Sequence, residues 1–158
     1  MANIKIGEKE YNLEFTFAAA EHKGLVQSMF NIMSGAYIVT NGANGDNDEV
    51  SAVAAMINGT AEMVADIPRI CMIAFYAGML ENNPVGEDEA KELMKQYMKE
   101  NKLSFYRLFE DLKQYMEDDG FFDLSGLTDM IQKMNSGAEK QVEKIQKKTT
   151  RKKSTSTK

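Results

Sequence analysis

Ile4-Lys5-Ile6-Gly7-Glu8-Lys9-Glu10-Tyr11-Asn12-Leu13-Glu14-Phe15-Thr16-Phe17 is the stretch that decides the fold class. Ile4 and Ile6, then Tyr11, Leu13, Phe15 and Phe17, alternate with polar residues at the two-residue period of a half-buried strand. Gly7-Glu8-Lys9-Glu10 lies between the two runs and reads as a turn, so residues 3–17 are expected to form a β-hairpin. Two strands alone are marginal in water. The apolar face must therefore be covered by the chain that follows, and that chain is helical.

From Ala18 onward, Leu25, Val26, Met29, Phe30 and Met33 recur at three- and four-residue steps up to a stop at Gly35, with Gly24 weakening the first half. Asn41–Glu49 is rich in turn formers and lacks apolar periodicity, which marks an internal loop. Val50, Val53, Ala54 and Ile57 restart a helix that is expected to break at Asn58-Gly59. The next helical segment is expected to end near Asp66-Ile67-Pro68, with Asp66 capping a new helix and Pro68 in its first turn. That new helix, to about Leu80, is apolar on nearly every side and should be the buried one.

Asn82, Asn83, Pro84 and Gly86 break the chain. Glu87, Asp88 and Glu89 then put negative charge where a helix N-terminus favours it, ahead of the stripe Ala90, Leu93, Met94, Tyr97 and Met98. A further helix carries Phe105, Leu108, Phe109, Leu112, Tyr115 and Met116 and ends at Asp119-Gly120. Leu124, Leu127, Ile131, Met134 and Ala138 follow as a heptad-like seam, imperfect because Gln141 occupies one of its positions, with Ile145 beyond. Gly137 is a place where this helix could restart, Ser136 and Glu139 having capping-box spacing. The expected fold is α+β and predominantly α, an N-terminal hairpin packed on about five or six helices. Residues 1–145 are expected to form one domain, and residues 146–158, which contain no apolar side chain, a disordered Lys-rich tail.

At 158 residues and 43% hydrophobic the chain can bury a core without disulfides or a metal. The single cysteine, Cys71, lies inside an apolar run, which excludes an intramolecular disulfide and a thiolate metal cluster and fits a reducing compartment. The longest apolar stretch, Ile67–Leu80, contains Arg69 and falls short of the roughly 20 residues that a membrane-spanning helix needs. Met1–Glu10 lacks the pattern of a secretory signal, so a cytosolic protein is expected. The net charge of −5 is unevenly placed, with 11 Lys/Arg against 22 Asp/Glu in residues 1–137 and 8 against 2 in residues 138–158. An acidic body repels nucleic acid, and the basic end lacks the interleaved aromatics of a single-strand binder.

Catalytic chemistry finds little to work with. His22 is the sole histidine, flanked by Glu21 and Lys23, and reads as a solvated surface residue with no second ligand or nucleophile to join it. Cys71 reads as a small core residue, since desolvation disfavours a thiolate. Neither Asp46, Asp48, Glu49 nor Glu117, Asp118, Asp119 has calcium-loop spacing; the first set reads as a loop and the second as a helix end. No catalytic, cofactor or metal site is expected. The chain does hold 12 methionines, several in helical pairs: Met29 with Met33, Met94 with Met98, Met130 with Met134. Methionine fills irregular cores and also lines surfaces that bind varied apolar helices, and the sequence leaves both open. The seam residues Leu127, Ile131 and Met134 are the candidate partner-binding or self-association surface.

The hairpin, its Gly7-Glu8-Lys9-Glu10-Tyr11 turn, the helices behind it, the acidic body and the lysine-rich end together resemble the tail assembly chaperones of long-tailed bacteriophages. The resemblance is carried by residues 3–33; beyond them it extends only to size, helix content and order. It implies a non-enzymatic protein of the host cytoplasm, absent from the mature virion, that coats the long helical tape measure protein and helps recruit tail tube subunits. In that family a longer form often arises by ribosomal frameshifting, for which Lys147-Lys148 and Lys152-Lys153 are candidate positions in the encoded chain. Two other readings stand beside it: a small nucleic-acid-associated or regulatory protein using its basic tail, and a structural tail or head-completion protein.

Overall fold

The computed structural model describes residues 1–37 and 49–136. Strands β1 (Ala2–Ile6) and β2 (Lys9–Leu13) pair antiparallel with Ala2 opposite Leu13, Ile4 opposite Tyr11 and Ile6 opposite Lys9. The loop is only Gly7-Glu8, and Gly7 has φ +61°, a value natural to glycine at the first position of a two-residue hairpin turn. Lys9 and Glu10 thus belong to the ladder rather than to the turn. The expected strand to Phe17 stops at Leu13, opposite Ala2. Its backbone turns to the helices instead: the Asn12 N–H donates to Asn83 Oδ1 at 2.8 Å, Glu14 N–H to the Gly78 carbonyl at 2.8 Å, and Phe15 N–H to Asp119 Oδ2 at 2.8 Å. Ile4, Ile6, Leu13 and Phe15 are buried, whereas Phe17 opens a helix and is exposed.

Helices α1 (Phe17–Glu21) and α2 (Lys23–Met33) replace the single helix expected from Ala18. His22 separates them in an extended conformation, and its Nδ1 accepts the Leu25 N–H at 3.2 Å. The ring meets Tyr76 edge-on at 5.7 Å. The lone histidine is therefore a half-buried helix cap, not the solvated residue that its neighbours suggested.

Helix α3 (Glu49–Met79) runs unbroken through both expected breaks, Asn58-Gly59 and Asp66-Pro68. Gly59 costs a helix about 1 kcal/mol and Pro68 removes one backbone donor. Against those terms, Ile67, Ile70, Cys71, Ala74, Phe75, Ala77 and Met79 are all buried on the C-terminal half. Burial of that many side chains, at about 1.5–3 kcal/mol for each large one, outweighs the local penalties. Asp66 consequently caps nothing. Its carboxylate accepts from Arg69 Nε at 2.7 Å, from Arg69 Nη2 at 2.6 Å and from the Tyr37 hydroxyl at 2.7 Å.

Helices α4 (Glu87–Glu100) and α5 (Phe105–Asp118) pack on α3 with Ala90, Met94, Leu108, Phe109, Leu112 and Met116 inward. The acidic first turn of α4 is as the sequence indicated. Gly120, with φ +71°, ends α5 and leads into the short α6 (Phe121–Leu124); Gly126, with φ +76°, then turns the chain into α7 over residues 127–136. The whole is α+β and mostly helical, with the hairpin laid across helices. Phe15 sits at the centre, edge-on to Phe121 at 6.4 Å and against the backbone of Gly78. The loop expected at Asn41–Glu49 lies almost wholly outside the described residues, as do Gly137, Ala138, Gln141, Ile145 and the Lys-rich tail.

Candidate partner-binding groove

Two helical stripes leave an open apolar groove between them. On α2 and the residue before α1 ends, Ala20, Lys23, Val26, Gln27 and Phe30 step along one face at three- and four-residue intervals. On the facing side, Ser125, Gly126, Leu127 and Met130 supply the start of α7. The groove encloses about 570 Å³. Each wall continues outward in an exposed methionine one helical step further, Met33 at 37% exposure and Met134 at 46%.

The three seam residues singled out in the sequence lie in three different environments, and of them only Leu127 lines the groove. Leu127 is buried at 4% and forms part of the groove's base; Ile131 is half-buried; Met134 is exposed. Leu124 is separated from them by the Ser125-Gly126 turn and is itself exposed, so the expected seam is not one continuous helix face. Gly126 is what divides it, because its positive φ ends α6 and reorients the next turn.

The α2 wall was not legible as a wall. Leu25 and Met29 point into the core, while Val26 and Phe30 line the groove beside them. The apolar arc of this helix is wider than one buried face requires, and that excess width is the signal that could have marked it. The methionine pairs split by location: Met29 and Met94 are buried while Met33 is exposed and Met98 half-buried, and both Met130 and Met134 are exposed, at 55% and 46%.

The remaining chemical candidates are held in structural roles. Cys71 is fully buried, its Sγ 3.4 Å from the Phe105 carbonyl oxygen, and burial pushes its thiol up to about 12. Asp119 accepts from the Phe15 N–H and from the Met1 ammonium, Asp118 accepts from Gln114 Nε2 at 2.9 Å, and Glu117 faces Lys113 at 3.6 Å. Among the described residues no group of three or more His, Cys, Asp or Glu side chains gathers closely enough to hold a metal ion. Nor is any described helix long and apolar enough to cross a membrane. No protein-family model matches the chain, and neither a curated protein nor a solved structure matches it.

Proposed function

We propose that the protein shelters an apolar helix of another protein and acts as a phage tail assembly chaperone, the partner helix belonging to the tape measure protein. The observation that carries this reading is the groove between α2 and α7. An exposed apolar trough between two helical walls suits an amphipathic helix, which presents its own side chains at the same three- and four-residue steps. Methionines in and beside the groove, Met130 with Met33 and Met134, re-pack at low cost against side chains of differing shape. A chaperone that must bind many turns of one long helical protein, and then let go, needs that tolerance more than it needs a single tight fit. Recruitment of tail tube subunits, action in the host cytoplasm and absence from the finished particle go with the same proposal.

The test is co-expression with a helical segment of the tape measure protein encoded alongside it. The wild-type chain is expected to hold that segment in solution and co-purify with it. Met130→Asp, which places a charge in the groove at an exposed position, is expected to weaken capture at least tenfold with an unchanged circular dichroism spectrum, since burying an unpaired carboxylate costs several kcal/mol. Capture by Met130→Asp equal to wild type removes the groove from the function. Finding the chain by mass spectrometry in purified virions assigns it instead to the particle's structural proteins.

A further inference from the structure

The groove between α2 and α7 is rimmed by charge of one sign. Around α2, going outward from the core, the buried Leu25 and Met29 give way to the half-buried Val26 and Phe30 and then to the exposed Lys23 and Gln27, each pair about 60–100° further round the helix. Helix α7 repeats the order, from the buried Leu127 to the exposed Met130 and then to the exposed Lys133, about 60° beyond Met130. Each wall therefore ends in a lysine at its lip. Lys23 is the one charged residue among those lining the groove, and no carboxylate lines it. Asp129 lies about 130° round α7 from the midline of Leu127 and Met130 and so faces away. Among the described residues neither lysine takes part in an ion pair. The pairing of two lysines here runs against a body in which acidic residues outnumber basic ones twofold over residues 1–137.

We infer, on the reading that this groove is the binding site, that it selects amphipathic helices carrying carboxylates along both flanks of their apolar stripe. A helix lying in the groove turns its stripe toward Val26, Phe30, Leu127 and Met130. Its flanking positions then pass the two lips, as the charged positions beside a coiled-coil seam pass those of the partner helix. A lysine stem extends an apolar wall and carries its ammonium to the lip, where a flanking Glu or Asp reaches it. A flanking Lys or Arg meets like charge there, with no carboxylate in the lining to offset it. The acidic remainder of the body does not reverse this preference in physiological salt, because charges more than about 8 Å away are largely screened. The selection is thus opposite in sign to the one that the net charge of −5 alone would give.

Two synthetic helical peptides test this, identical in a stripe of Leu and Met and carrying either Glu or Lys at the positions that flank it, with binding to the full chain followed by fluorescence anisotropy. In physiological salt the Glu peptide is expected to bind at least about fivefold more tightly, since an exposed ion pair contributes up to about fivefold and two lips take part. Molar salt should narrow the gap. Lys23→Glu together with Lys133→Glu, both at exposed positions, should reverse the preference with an unchanged circular dichroism spectrum. Met130→Asn, a neutral change in the groove, should weaken both peptides and so locate them there. Equal binding of the two peptides, both weakened by Met130→Asn, overturns the charge selection and leaves the groove as the binding site. A preference for the Lys peptide, or a Glu preference that survives reversal of both lysines, overturns the selection as well. Binding of neither peptide removes the groove and this inference with it.

Discussion

Gly78 and Phe15 show how closely the hairpin is fitted to the central helix. A Cβ on Gly78 would stand 2.8 Å from Phe15 Cζ and 3.1 Å from its Cε1. The ring cannot retreat, being fully buried with Phe121 on another side. Helix propensity by itself favours Gly78→Ala by about 1 kcal/mol. Overpacking a closed core costs about 1–3 kcal/mol, and here it falls on a rigid aromatic ring held between two elements. The substitution is therefore expected to lower stability by about 1 kcal/mol or more in urea titration, with Phe15→Leu in the same chain recovering part of the loss. A neutral or stabilised Gly78→Ala variant would mean that the ring has room to move. At the same scale, Asp119 joins the end of α5 to the Phe15 N–H and the Met1 ammonium, a role that its place in an acidic triplet did not disclose.

Helix α5 owes its start to one side chain. Ser104, in an extended conformation, accepts the Arg107 N–H on its Oγ at 3.3 Å. Ser104→Ala leaves that donor without its partner and is expected to cost about 0.5–1 kcal/mol, while Ser104→Asp should hold stability near wild type. Thermal melts of the two variants check this, and equal melting temperatures for wild type and Ser104→Ala would assign the start of α5 to packing alone. Helices α1 and α3 show the opposite balance of local and tertiary terms. The sequence around Ala18 suits one helix and the structure has two, whereas the sequence around Gly59 and Pro68 suits a break and the structure has none.

Three tyrosines are raised above the ordinary phenol range and so weigh against the folded chain at alkaline pH. Burial, reinforced by the Asp66 carboxylate that accepts its hydroxyl, pushes Tyr37 up to about 12. Burial also raises Tyr97 to about 12 and Tyr115 in the same direction, where α4 meets α5, with Asp111 adding to both. Each folded value lies above the ordinary 10.0. Between about pH 10 and 12 the folded chain keeps phenolic protons that the unfolded chain has lost, so stability is full below pH 10 and falls as pH rises through that window. Urea midpoints measured from pH 9 to 12 should fall accordingly, and Tyr97→Phe should flatten the decline. A slope unchanged in Tyr97→Phe and in Tyr37→Phe would place its origin elsewhere.

The sequence by itself determined the hairpin, the burial of most apolar residues between 67 and 79, the acid-led start of α4 and the glycine stop after α5, because each follows from periodicity or from a backbone preference that acts locally. Tertiary structure alone decided where β2 ends, that His22 divides α1 from α2, and that α3 continues through Gly59 and Pro68. Local preferences amount to about 1 kcal/mol for glycine and about 3 kcal/mol for proline, and the burial of several large side chains exceeds both. The candidate groove was half legible: the α7 seam drew notice through Leu127, Ile131 and Met134, but the α2 wall did not. Periodicity reveals that a helix face is apolar; only packing decides which apolar faces meet one another and which are left open to a partner. Leu25 and Val26 are neighbours in sequence and alike in chemistry, yet one is closed within the core and the other lines the groove, because a turn of 100° carries them to different surroundings.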